Sequence, residues 1–105
     1  MRRRFCAALV LPLAHLAWIP GSIADDAAGE GERIYENYCA TCHGEKLQNN
    51  TAGLTFDLRR LKAADYSRFV DSVLNGKDKM PPWKGVLGNS EIDRLWAYIQ
   101  ANGSR

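Results

Sequence analysis

Hydrophobic positions divide the chain into one continuous apolar run and three amphipathic stretches. The run extends from Phe5 to Ile19, broken only by His15, and follows Arg2-Arg3-Arg4. Ile34, Tyr35 and Tyr38 then recur at helical intervals, which predicts a helix over 31–40. Tyr66, Phe69, Val70, Val73 and Leu74 form a single helical stripe over 65–74, with Asp65 as the expected N-cap and Asn75-Gly76 as the stop. Ile92, Leu95, Trp96 and Ile99 predict a last helix over 90–102, opened by a Ser90/Asp93 capping box and closed by Gly103. Residues 25–29 read as a frayed acidic lead-in. Residues 44–55 are polar and read as a loop, 56–61 as a short helical turn, and 77–88 as a loop stiffened by Pro81-Pro82. No segment alternates as a strand does. The expected fold is all-α, with three main helices and long loops.

The first 24 residues have the layout of a secretory signal peptide. A positive start precedes a short apolar core, and Ser22-Ile23-Ala24 puts small residues at the positions of a cleavage site. A retained membrane anchor is the alternative. It is disfavoured because Pro12, His15 and Pro20 interrupt the core, whereas a span needs about 20 apolar residues. Cys6 reads as an ordinary leader residue. The expected organisation is a leader over 1–24 and one domain over 25–105.

Removing the leader changes the charge. The domain keeps 11 of 14 basic residues and all 12 acids, so the net charge moves from +2 to −1. The basicity belonged to the leader, and no basic patch argues for nucleic acid. The cut also leaves one histidine, His43, one methionine, Met80, and two cysteines, Cys39 and Cys42. Any soft-ligand chemistry must use those four. A domain this small often needs a disulfide, metal or cofactor to complete its core.

Cys39-Ala40-Thr41-Cys42-His43 has three chemical readings. A redox dithiol belongs in a strand–helix context, which is absent. A zinc site needs ligands beyond His43 that the domain lacks. Cys-x-x-Cys-His reads as c-type haem attachment, with both thiols bonded to one porphyrin and His43 as the proximal iron ligand. Elimination makes Met80 the second axial ligand. As core filler it would suit a helix stripe, but it stands in the polar loop "GKDKMPPWKG".

These motifs resemble the small monohaem cytochromes c with His/Met iron, over nearly all of residues 29–103. "CATCHG" (39–44) and "KMPPW" (79–83) carry the likeness. So does a helix pairing, in which Gly31 and Tyr35 match one member and Leu95 and Tyr98 the other. The resemblance implies a cytochrome c-like fold wrapped around one covalent haem c and its iron. It also implies a proline whose carbonyl accepts the proximal histidine's Nδ1–H. This chain has "TFDLRR" where relatives have a "PDLR" pattern, and no proline lies between Gly44 and Lys79. A backbone carbonyl within 52–56 is expected to take that role. Arg59 and Arg60 have two readings, propionate partners or a solvated basic turn. Trp83 is expected at the haem edge, as an indole N–H donor to a propionate, or as plain packing, and Tyr66, Phe69 and Val70 as pocket wall or core.

Six-coordinate iron offers no position for a substrate, so the expected function is not enzymatic. It is a periplasmic one-electron shuttle, monomeric and not stably inserted in a membrane. Its partners would be redox proteins: a dehydrogenase, oxidase or reductase. A dedicated cytochrome subunit of an exported quinoprotein-type dehydrogenase is the alternative. A five-coordinate haem enzyme or gas sensor is a further reading, and it requires that Met80 not bind.

Overall fold

The first and last long helices cross at Gly31. In the computed structural model, which describes residues 8, 10–15, 17–18 and 23–103, α1 (Ile23–Tyr38) packs against the C-terminal helix (Asn89–Asn102). A Cβ on Gly31 would stand 1.9 Å from the Arg94 carbonyl oxygen and 2.9 Å from Cβ of Tyr98. Only a residue without a side chain permits that approach. Tyr35 and Tyr98 then meet, with ring centroids 5.5 Å apart. The pairing expected from Gly31, Tyr35, Leu95 and Tyr98 is therefore the central packing of the fold, and the last three are buried.

Between these helices run α2 (Ala40–His43), three 3₁₀ turns (Glu45–Leu47, Leu58–Arg60 and Ala63–Asp65) and α3 (Tyr66–Asn75); the C-terminal helix is α4. Among the described residues the only β-type pairing is an isolated bridge between Lys77 and Met80. The all-α expectation holds, with the turn over 56–61 found at Leu58–Arg60. Phe69 and Val73 of α3 join the core, as do Ile92, Leu95 and Ile99 of α4. Trp96 is only partly buried; it stacks at the core edge against Tyr66 and Phe69, at 5.4 and 5.0 Å.

Several boundaries differ from the sequence expectation. α1 begins at Ile23, so residues 25–29 are helical and not frayed. Ala27 and Ala28 are strong helix formers, and Asp26 in the first turn suits the helix dipole. The expected cleavage boundary after Ala24 thus falls in the first turn of α1. The same helix stops at Tyr38, and Cys39 separates it from α2. Asp65 does not cap α3. The turn Ala63–Asp65 runs straight into the helix, and the Asp65 carboxylate closes it by accepting from Lys62 N–H at 2.9 Å. α4 starts at Asn89, where Glu91 accepts from Gly88 N–H at 3.1 Å. Asp93, expected in that box, accepts instead from the Tyr66 hydroxyl of α3.

Of the expected leader, the positive start, Cys6, Pro20 and Ser22 lie outside the described residues. Val10, Leu11, Leu13 and Trp18 are highly exposed. Among the described residues no helix is long and apolar enough to cross a membrane.

Candidate functional site

The cysteine–histidine segment is held from both sides. Cys39 N–H donates to the Tyr35 carbonyl at 2.8 Å, which hangs the segment on the end of α1. His43 N–H returns to the Cys39 carbonyl at 2.9 Å, and Gly44 N–H to that of Ala40 at 2.8 Å. Gly44 has φ of 89°, and a Cβ on it would lie 1.9 Å from the Gln48 carbonyl oxygen. Glycine is therefore required where the chain turns away after His43. The fully buried Tyr35 hydroxyl donates to the Gly44 carbonyl at 2.6 Å and locks that turn to α1.

Cys39 is buried, Cys42 is exposed, and both thiols are free. Burial, with Cys42 nearby, pushes the Cys39 thiol up to about 12, so it remains a neutral SH at ordinary pH. A thioether has no proton to lose, so covalent attachment would remove this titration from the pocket.

His43 is partly buried, and its Nδ1–H donates to the Phe56 carbonyl at 3.1 Å. The carbonyl expected within 52–56 is thus that of Phe56. Desolvation pulls the His43 pKa down, and the Phe56 carbonyl partly opposes it. The ring is kept neutral, with Nδ1 occupied and the Nε2 lone pair available. That is the form in which imidazole binds a metal.

A polar cluster that sequence reading took for plain loop places this carbonyl. Asn49 Nδ2 donates to the Thr55 carbonyl at 2.8 Å. Its Oδ1 accepts from Thr51 N–H at 3.0 Å and from the Thr51 hydroxyl at 2.7 Å. Thr55 N–H in turn donates to Thr51 Oγ1 at 3.1 Å. Past Phe56, Asp57 accepts from Arg59 N–H, Nε and Nη2 at 3.1, 3.0 and 2.8 Å. Arg68 lies over the Phe56 ring, 5.8 Å from its centroid. The Arg59 guanidinium is thus engaged by Asp57, and Arg60 is exposed. A cavity of about 400 Å³ opens beside this loop, lined by Asn49, Phe56 and Arg60 among others, and none of Cys39, Cys42, His43 or Met80 lines it.

Met80 comes from a separate segment and packs, partly buried, against the core. What joins that segment to the cysteine turn is Trp83. Its ring meets that of Tyr38, the residue before Cys39, edge-on at 5.3 Å. Trp83 therefore has packing contacts on the cysteine side, and Tyr66, Phe69 and Val70 divide between rim and core. Among the described residues no three His, Cys, Asp or Glu side chains gather as a metal cluster.

The family model described as cytochrome c oxidase, cbb3-type, subunit III matches residues 26–99. The chain belongs to this cytochrome c family.

The cytochrome c6 of Rippkaea orientalis is 32% identical over 85 residues, covering 78% of this chain and 76% of the relative. The cytochrome c-555 of Methylococcus capsulatus is 35% identical over 78 residues, covering 72% and 63%. The cbb3-type cytochrome c oxidase subunit CcoP of Azospirillum brasilense is 31% identical over 85 residues, which is 73% of this chain but 29% of that subunit. The chain thus spans under a third of the cbb3 subunits it matches and most of the cytochromes c6. The cofactor of the cytochrome c family is haem c with its iron, covalently bound. The donor set here fits it. Two free thiols precede a histidine whose one ring nitrogen is already fixed, and a thioether stands at the core edge. Soft sulfur and imidazole are donors that suit iron.

Proposed function

We propose that this chain is an exported monohaem c-type cytochrome that carries single electrons between redox proteins. Cys39 and Cys42 would hold the porphyrin through thioether bonds, and His43 and Met80 would be the axial iron ligands. The observation that carries this reading is the His43 Nδ1–H···O=C Phe56 bond at 3.1 Å. It fixes the tautomer and the ring plane, so Nε2 alone is left to bind.

When bound, haem c supplies a one-electron Fe(III)/Fe(II) couple. The chain's residues do the rest. His43 supplies a neutral nitrogen whose basicity the Phe56 carbonyl raises. Met80 supplies a thioether, which favours the ferrous state and raises the reduction potential. With both positions taken, no site remains for a substrate. Met80, Trp83 and Val70 are partly buried against the core and would help to keep water from the sulfur. Electron exchange with redox proteins would use small and transient contacts. Residues 1–24 would direct the domain to the periplasm and be removed. The partners would be a dehydrogenase, oxidase or reductase, and the domain would act as a monomer.

A second reading follows from the cbb3-type subunits, in which a domain like this forms about 30% of a longer chain. The domain would then be one module or dedicated subunit of a larger respiratory enzyme, an exported dehydrogenase included. Co-purification with an enzyme, and not as a free monomer, would favour it.

The deciding experiment compares the parent with Met80→Ala after production in a haem-attaching periplasm. The parent should gain the mass of one haem and show the methionine-to-iron charge-transfer band in its ferric spectrum. Met80→Ala should keep the haem, lose the band and have a lower potential. An unchanged band and potential would sink the axial assignment.

A further inference from the structure

The turn that presents Met80 is built onto the end of α3. A helix leaves its last carbonyls without intrahelical partners. Here Trp83 N–H donates to the Val73 carbonyl at 2.8 Å, and Lys84 N–H to that of Leu74 at 3.1 Å. Between these anchors, Lys77 and Met80 exchange both backbone bonds, at 3.1 and 2.8 Å, across a two-residue turn of Asp78 and Lys79. The chain leaves α3, reverses, and returns over the helix end.

On that return, residues 80–82 pass directly over Gly76. A Cβ on Gly76 would lie 2.6 Å from the Met80 carbonyl oxygen, 3.0 Å from Pro82 N and 3.1 Å from the Pro81 carbonyl carbon. All three are backbone atoms. Two consecutive prolines restrict how that backbone can yield.

We propose that Gly76 is a positioning residue for Met80. Its missing side chain lets the methionine segment seat against α3, and so fixes where the thioether stands. This rests on the reading of Met80 as the second axial ligand. Gly76 also has φ of +75° and ψ of 169°, a backbone region open almost only to glycine, so that strain must be separated from the close approach. Gly85, in the same loop, separates them. It has φ of +84°, and a Cβ there would meet nothing within 4 Å. Gly85→Ala therefore carries a positive-φ cost without the collision.

The test compares holoproteins of Gly76→Ala, Gly76→Asn, Gly85→Ala and Met80→Ala with the parent. Both Gly76 variants carry the Cβ, and far-ultraviolet circular dichroism like the parent's shows that each keeps the fold. The readouts are the charge-transfer band, the midpoint potential and the affinity of the ferric form for added imidazole, which competes for the methionine position. Both Gly76 variants should weaken the band, lower the potential and bind imidazole at least roughly tenfold more tightly, equivalent to ~1.4 kcal/mol. Gly85→Ala should match the parent, and Met80→Ala should lose the band. If the Gly76 variants behave like Gly85→Ala while Met80→Ala loses the band, Gly76 has no positioning role and the axial reading stands. A band retained in Met80→Ala overturns the axial reading and this inference with it.

Discussion

His43 and Phe56 are joined by a ring-nitrogen-to-carbonyl bond of 3.1 Å, across 13 positions of sequence, without a proline to stiffen the acceptor. The Asn49 side chain supplies the rigidity instead, through one bond to the Thr55 carbonyl and two from Thr51. Asn49→Ala should therefore be felt at His43. Loss of these bonds should cost about 1–3 kcal/mol of stability. In ferrous holoprotein the His43 Nδ1–H should exchange with solvent about tenfold faster, as followed by NMR. Unchanged exchange with lowered stability would assign Asn49 to the loop alone.

Two glycines of α1 should respond to alanine in opposite directions. Gly29→Ala meets nothing within 4 Å and should stabilise the protein by about 0.5–1 kcal/mol through helix propensity. Gly31→Ala would force Cβ into the Arg94 carbonyl and should destabilise by at least about 1–3 kcal/mol. Denaturant midpoints of the two holoproteins measure this directly. Same-sign shifts would mean that α1 and α4 do not approach as described.

Tyr35→Phe removes the hydroxyl of a fully buried ring, the group that holds the Gly44 carbonyl at 2.6 Å. The expected loss is about 1–2 kcal/mol, because that carbonyl is left in a buried turn. Thermal unfolding of the holoprotein should shift down, with little change in potential. A large potential shift would place Tyr35 in control of the iron ligands and not of the turn.

Without haem the domain should lose its cooperative fold. No residue of α2 is buried and Met80 is only partly so, and a chain of this size buries too little surface to compensate. Cys39→Ala combined with Cys42→Ala, freed of haem, should melt without a cooperative transition by near-ultraviolet circular dichroism. A sharp transition would contradict this.

The parts of the fold that could be read in the sequence were those written in side-chain periodicity. Phe69 and Val73 announced the inner face of α3, whereas the α1–α4 pair at Tyr35, Leu95 and Tyr98 followed from the resemblance to the cytochromes c. The start of α1 was not legible because Ala27, Ala28 and Asp26 favour a helix without forming an apolar stripe. The caps were misassigned because Asp93 is taken by Tyr66, a tertiary contact that local patterns do not encode. For the candidate site, "CATCH" and the lone Met80 could be named from residue chemistry. The choice of Phe56 within 52–56 could not, since one backbone carbonyl is chemically like the next. The signal that did exist was Asn49, Thr51 and Thr55, three short hydrogen-bonding side chains spaced to fold a loop on itself.

The amides of Trp83 and Lys84 hang on the last carbonyls of α3. This makes the methionine segment and the end of that helix a single opening unit. Hydrogen exchange should find those two amides protected to the same degree as the final turn of α3, rising and falling with it. Any event that frays α3, including heat or a partner pressing on it, would then loosen the sulfur side before the histidine side.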